Sequence, residues 1–455
     1  MPQQTARNAE RGTPKQNLRC ARLFAGESHL LRRRMNPHDK YANLHPEVPP
    51  QKLPQSSSNT SVRSRFRPNC DFRLARLTRT AVSVALLLAA CHANVTNETP
   101  NIKVQNQGGS RPKLVFACDR PTSELRGLFT PELISELKEL GAGVALSTED
   151  FSTERAQVVK QLNAAGVPMT AWLVLPKEQG YYVNAGNAPQ TAARFAEFDR
   201  WTTQNSLRWE AVGLDIEPSL SDFSALVGHK TQLLSLVLRR AFDSARVNRA
   251  RVAYLQLVRQ MQSRGYFVQT YQLQFIADER RAHTTVLERI FGLVDVSGDD
   301  EVLMLYTTFS HGSGAGLIWA YGPDAQTVAV GTTASSGDVA TDAKYPPLTW
   351  EEFSRDLIVA RRFSPVIGVY SLEGCVRHGF ISRLKSMDWN QPVLIPQASV
   401  QKAAKFRKGL HIVLWVGAHI IYFSVALLLS LAWLLNLIVR LWKRRRGRTP
   451  AGVTT

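Results

Sequence analysis

A chain of 455 residues with 44% hydrophobic content is long enough for one large domain plus appendages, and too apolar to be disordered throughout. Its formal net charge of +19 invites a nucleic-acid reading, but the charge sits at the ends. Residues 1–79 carry 16 Lys and Arg against 5 Asp and Glu, residues 402–455 carry 10 against none, and the middle holds 30 against 32. Basic ends beside apolar runs belong to membrane insertion rather than to a phosphate-binding face, so no nucleic-acid partner is expected.

Residues 1–79 lack sustained apolar periodicity and are rich in Arg, Pro, Ser, Asn and Gln. They read as a disordered basic extension or a mis-assigned start, with Met35 as the alternative initiator. Residues 80–91 form a signal-like segment: Arg73–Arg79 is basic, Thr80–Ala90 is apolar but too short to span, and Cys91 follows Leu88-Ala89-Ala90. That ending is either a lipobox, with Cys91 as the lipidated residue, or an ordinary signal peptide that happens to contain a cysteine. Residues 92–111 read as a linker.

From 112 to 390 short apolar strands alternate with helical patterns, which predicts a parallel α/β fold. Strands are expected at Lys113 to Cys118, Gly143 to Ser147, Pro168 to Leu175, Trp209 to Glu217, Tyr266 to Tyr271, Val302 to Thr308, Thr327 to Gly331 and Val366 to Leu372. Helices fall between them, with one or two long ones across 221–264. Eight such units in about 280 residues fit a single (β/α)8 TIM barrel, whose sites lie at the strand C-terminal ends. An open doubly wound sheet is the alternative, but no G-x-G-x-x-G follows the first strand.

The fourth strand, W-E-A-V-G-L-D-I-E-P, carries the chemistry. Side chains two apart on a strand share a face, so Asp215 and Glu217 point into the barrel mouth while Val212, Leu214 and Ile216 pack outward. Asp119, Tyr271, Tyr306 and Glu373 also fall at or near strand C-terminal ends, though Asp119 suits a turn cap and Glu373 a loop anchor equally well. Tyr181 and Tyr182, in a Gly- and Asn-rich loop after the third strand, are candidates to stack on sugar rings. The loop at His311 to Gly316 lacks the strained G-x-S-x-G elbow of a serine hydrolase. No Cys/His cluster has zinc spacing, and neither metal nor cofactor is expected.

These strands resemble the chitinase-type enzymes of glycoside hydrolase family 18, and more weakly the family 25 lysozymes through Asp119 and L-D-I-E. Against the fourth-strand pattern D-G-x-D-x-D-x-E, residues Glu210 to Glu217 read E-A-V-G-L-D-I-E. The sixth-strand M-x-Y-D is similar to Met304-Leu305-Tyr306-Thr307, and the eighth-strand ending to Tyr370-Ser371-Leu372-Glu373. The departures are Glu210 and Gly213 for two acids, Thr307 for an Asp, and Tyr370 for a Trp. The resemblance implies Glu217 as general acid/base, with Asp215 and Tyr306 holding a substrate acetamido group that serves as nucleophile. Asp119, Tyr271, Tyr370, Glu373, Tyr181 and Tyr182 would then bind substrate. The lost positions leave a second class open, a catalytically silent barrel that binds glycan or a protein partner.

Residues 391–408 read as a juxtamembrane linker and 409–442 as a transmembrane helix, Leu410 to Val439 being almost uninterruptedly apolar. The basic cluster Arg440 to Arg448 follows, so the tail 443–455 is expected in the cytoplasm and the barrel on the periplasmic or extracellular side of a bacterial cell membrane. Membrane lipid and a polysaccharide substrate are the expected partners. Export puts Cys118 and Cys375, near the ends of the neighbouring first and eighth strands, in an oxidising compartment, which suggests a disulfide.

Overall fold

The computed structural model describes residues 101–104, 111–219, 222, 235–237, 239–310, 314–334 and 345–446, all within the unit Phe72–Thr455. The signal-like segment with Cys91, His311 and Ser313, and residues 447–455 lie outside the described residues.

Strand β1 (Ile102–Val104) precedes a closed barrel of eight parallel strands: β2 (Lys113–Cys118), β3 (Gly143–Ser147), β4 (Met169–Leu173), β5 (Ala211–Ile216), β6 (Val268–Leu273), β7 (Asp300–Met304), β8 (Thr327–Gly331) and β9 (Val366–Tyr370). The ring closes where β2 pairs with β9, Ala117 opposite Tyr370. Strand β10 (Val393–Ile395) pairs antiparallel with β1, Ile102 opposite Ile395.

Local sequence explains the connections. Helix α1 (Thr122–Leu128) leads into α2 (Pro131–Leu140), where the Thr130 side chain accepts from Leu133 N, proline takes the first helical position, and Gly141 ends the helix at φ 59°. Helix α3 (Thr153–Ala165) is capped by Ser152 and closed by Gly166 at φ 76°. Helices α4 (Ala188–Asn205), α5 (Ser244–Ser263), α6 (Phe275–Arg281), α7 (Val286–Phe291) and α8 (Gly314–Tyr321) follow round the wall. Helix α9 (Trp350–Arg361) starts on a capping box between Thr349 and Glu352. Short helices α10 (Leu372–Arg377) and α11 (Phe380–Lys385) complete the ring.

Outward side chains of the strands, among them Phe116, Leu146, Val212, Leu214, Ile216 and Val330, form one core with the helices. Strand ends depart from the sequence reading in ways that matter for the site. Strand β5 stops at Ile216, so Glu217 lies just beyond it; β7 runs from Asp300 to Met304, leaving Tyr306 past its end; Ser371 caps α10, so β9 stops at Tyr370. Strand β7 starts two residues before the expected Val302, and the acidic residues there are tied in: Asp299 accepts from Val268 N at 2.8 Å, and the buried Glu301 pairs with Arg280.

The expected linker is structured. Residues Gln397–Ala418 form helix α12, which packs on α6, α7 and α8, and a second helix, α13 (Ile420–Arg446), follows. Its stretch Ile420–Lys443 is long and apolar enough to cross a membrane and is exposed along its length. The apolar run therefore divides at His419: Leu414 is fully buried against the barrel, while Leu428, Leu429 and Trp433 face outward.

Candidate active site

Alternation along the strands sends Gly213 and Asp215 inward from β5, and adjacent strands bring aromatic rings over them. Asp215 is buried, and its Oδ2 accepts a hydrogen bond from the indole Nε1 of Trp172 on β4 at 3.1 Å. Its Oδ1 is buried with no hydrogen-bond partner among the described residues. Glu217 is partly exposed at the mouth, held by its backbone N–H donating to Val183 O at 3.2 Å. Val183 N in turn donates to Asp215 O at 2.8 Å, so the loop after β4 extends the sheet beside the two acids.

Rings wall this pair. Tyr306 and Tyr370 lie 5.6 Å apart by ring centroid, and Tyr370 meets Trp172 edge-on at 6.4 Å. Tyr271 lies over Gly213, where an added Cβ would fall inside van der Waals contact of its Cε2. That ring fills the space in which the resembled family's strand carries an acid. The barrel interior beneath retains a cavity of only about 30 Å³, bordered by Ala117, Ala145, Tyr271, Tyr306 and Gly368.

The electrostatics follow from burial. Desolvation pushes the Asp215 carboxyl well above the ordinary range; Glu217 adds to the rise, and the Trp172 hydrogen bond opposes it. Desolvation also raises Glu217, to about 7. Two close carboxylates in one dry site titrate as a unit, and near neutral pH the pair retains a proton. The phenols of Tyr306, Tyr271, Tyr370 and Tyr182 are pushed upward first by burial and then by the acids, so all stay neutral donors.

The other candidates fall at the same end of the barrel, in different settings. Asp119 accepts from the Tyr181 hydroxyl at 2.7 Å. Tyr181 is buried with Trp172 and Val174, so it builds the wall and does not present a free stacking face; Tyr182 meets it edge-on at 5.0 Å. The loop that holds both is tied by Tyr254, whose hydroxyl sits 2.9 Å from Asn184 O and from Asn187 Oδ1. Glu373 on α10 lies 3.8 Å from Arg120 Nε, and its Oε2 is buried and unpartnered among the described residues. It borders a rim pocket of about 240 Å³ with Arg120, Glu124 and Arg377.

The expected disulfide is not formed: Cys118 and Cys375 are both free, buried thiols. Cys118 lies on the outward face of β2 with Leu114 and Phe116, whereas the Cys375 sulfur sits on α10, 3.5 Å from the Thr333 hydroxyl. Trp172, which bonds Asp215, is absent from the candidates drawn from the sequence. Its strand, A-W-L-V-L-P, is apolar on both faces, so no alternation marks the inward position. Thr307, at the place of an expected acid, donates to the buried Asp356 at 2.6 Å, away from the pair.

Comparison with known proteins assigns no family. No protein-family profile matches the chain, and no curated protein does. Among solved structures, the PgaB glycoside hydrolase domain from Bordetella bronchiseptica is similar with a TM-score of 0.36 and 11% identity, over 61% of this chain and 98% of that one. An exo-β-1,4-mannosidase from Opitutaceae bacterium strain TAV5 gives 0.36 and 11%, over 66% and 60%. An endo-β1,6-glucanase gives 0.33 and 11%, over 61% and 70%. These distant likenesses leave the chain outside any assigned family.

Proposed function

We propose that the chain is a membrane-anchored glycoside hydrolase acting on an N-acetylhexosamine polysaccharide of the cell envelope or its surroundings, with Glu217 as general acid/base. The observation that carries this reading is the pairing of the buried Asp215 with the partly exposed Glu217, both raised by desolvation, with the Glu217 side open to the mouth. A carboxyl that titrates near neutrality is suited both to give a proton and to take one back. Glu217 would protonate the leaving glycosidic oxygen while the substrate's acetamido oxygen attacks the anomeric carbon. Glu217, now a carboxylate, would then take a proton from the water that opens the cyclic intermediate. The unpartnered Asp215 Oδ1 would accept the acetamido N–H, and Tyr306 would donate to the same group. The helix Ile420–Lys443 would hold the barrel outside the membrane, with the basic cluster that starts at Arg440 in the cytoplasm.

A specific observation favours a second reading, a silent barrel that binds glycan. The Tyr271 ring occupies the place of one expected acid, and Thr307, at the place of another, is spent on Asp356. Reducing-end release from peptidoglycan, chitin oligomers and poly-N-acetylglucosamine, by the wild type and by Glu217→Gln, decides between them. Release by the wild type alone supports hydrolysis; binding without release by either supports the silent barrel.

A further inference from the structure

Helix α12 carries an orientation. Helix α8 runs from Gly314, packed on Thr307 beyond the C-terminal end of β7, to Tyr321, just before Asp324 and the start of β8. Helix α12 meets it in the same sense. Ser399 packs on Gly316 so closely that no Cβ fits there, and eight residues later Arg407 reaches the far end. Arg407 Nε pairs with Asp278 at 2.8 Å, its guanidinium lies 2.9 Å from Asp324, and it stacks 4.1 Å from the Tyr321 ring centroid. The helix thus descends the wall from the strand C-terminal side to the strand N-terminal side. Beyond Arg407 it stays packed on the wall: Leu414 is fully buried, and a Cβ on Gly417 would lie 3.0 Å from Val286 at the start of α7. Helix α13 then begins at Ile420.

The outer face of α12 changes character along the same path. Lys402, Lys405 and Lys408 are exposed, then Ile412 at 56% and Trp415 at 49%. A basic band followed by exposed apolar and aromatic side chains, continuous with a helix of membrane-crossing length, matches headgroups followed by the acyl boundary.

We infer that the C-terminal end of α12, with Ile412 and Trp415 on its outer face, lies against the lipid bilayer, with the strand N-terminal face of the barrel turned to the membrane and the mouth that holds Asp215 and Glu217 turned away. The inference rests on Ile420–Lys443 crossing the membrane, and stands apart from whether the site hydrolyses.

The test uses the full chain, with Cys20, Cys70 and Cys91 replaced by Ser, in vesicles of neutral and anionic phospholipid carrying a nitroxide on the headgroup. A fluorophore is placed either at Ile412→Cys, on the outer face of α12, or at Glu178→Cys, exposed on the turn after β4 at the mouth. Both positions are on the surface, so folding is retained. Quenching several-fold stronger at 412 than at 178 is expected. Equal or stronger quenching at 178 overturns the orientation. Absence of quenching at both sites, with the protein failing to float with the vesicles, overturns the membrane contact, as does an unquenched 412 that crosslinks to a second copy. Hydrolysis of soluble polymer by the same vesicles is read separately; its absence counts against the Glu217 reading and leaves the orientation standing.

Discussion

Trp172 donates its indole N–H to Asp215 at 3.1 Å, the one hydrogen bond this buried carboxyl receives among the described residues. Because that bond favours the charged form, Trp172→Phe removes a restraint on proton affinity while keeping most of the ring's bulk. The acidic limb of the kcat/KM profile is expected to move to higher pH. A profile that falls in amplitude without moving would make Trp172 only a packing residue.

Glu217→Gln is expected to preserve the fold and glycan binding and to lower turnover on the order of 10² to 10⁴, the usual contribution of general acid catalysis. Asp215→Asn lowers turnover as well, and the double variant falls by less than the product of the two, because the residues act as a unit. Single-turnover rates on a cleaved acetamido glycan measure this; equal rates for wild type and Glu217→Gln would remove Glu217 from the mechanism.

The same pair fixes the sign of a pH effect on stability. A carboxyl whose folded pKa is raised binds its proton more tightly in the native state than in the unfolded chain. Its contribution is complete below the ordinary carboxyl range and is lost as pH rises through about 7, the value for Glu217. The wild type is therefore expected to lose melting temperature between pH 5 and 8, roughly, and Glu217→Gln to lose less. Thermal unfolding of both across that range checks the sign.

Gly213 and Tyr271 are sterically coupled. Gly213→Ala places a methyl inside the Tyr271 ring contact and is expected to cost about 1–3 kcal/mol by overpacking. Combined with Tyr271→Ala, the added cost should shrink, and a double-mutant cycle on denaturant unfolding reads the coupling.

Cys118 and Cys375 are expected to stay unreactive toward thiol reagents in the native protein and to react only on unfolding. Burial pushes the Cys375 thiol up to about 12 and the Cys118 thiol well above its ordinary value, leaving almost no thiolate. A reductant-dependent melting temperature would contradict this.

Much of the site was legible because β5 declares itself: D-I-E at period two, closed by Pro218, puts both acids on one face whatever the rest of the chain does. The tyrosines were legible as strand-end residues, but not their work. Nothing in the sequence says that Tyr181 is tied to Asp119 across 62 positions, or that Tyr271 covers Gly213. The junction at His419 was hidden for a different reason. Leu410 to Val439 is one apolar run, and tertiary packing alone separates Leu414, buried on the barrel, from residues that face outward. Arg407 falls in the expected juxtamembrane linker 391–408, yet it is held by Asp278 and Asp324.

The pairing of β1 with β10 bears on the order in which the chain folds. Its register joins Ile102 to Ile395, and the barrel seam joins Lys113 to Val366, so both closures link segments made at opposite ends of synthesis. Contacts so distant in sequence wait for the whole intervening chain, and loop closure makes them slow. Helix α13 starts 25 residues after Ile395. The segments that close the ring and the apolar helix therefore leave synthesis one directly after the other.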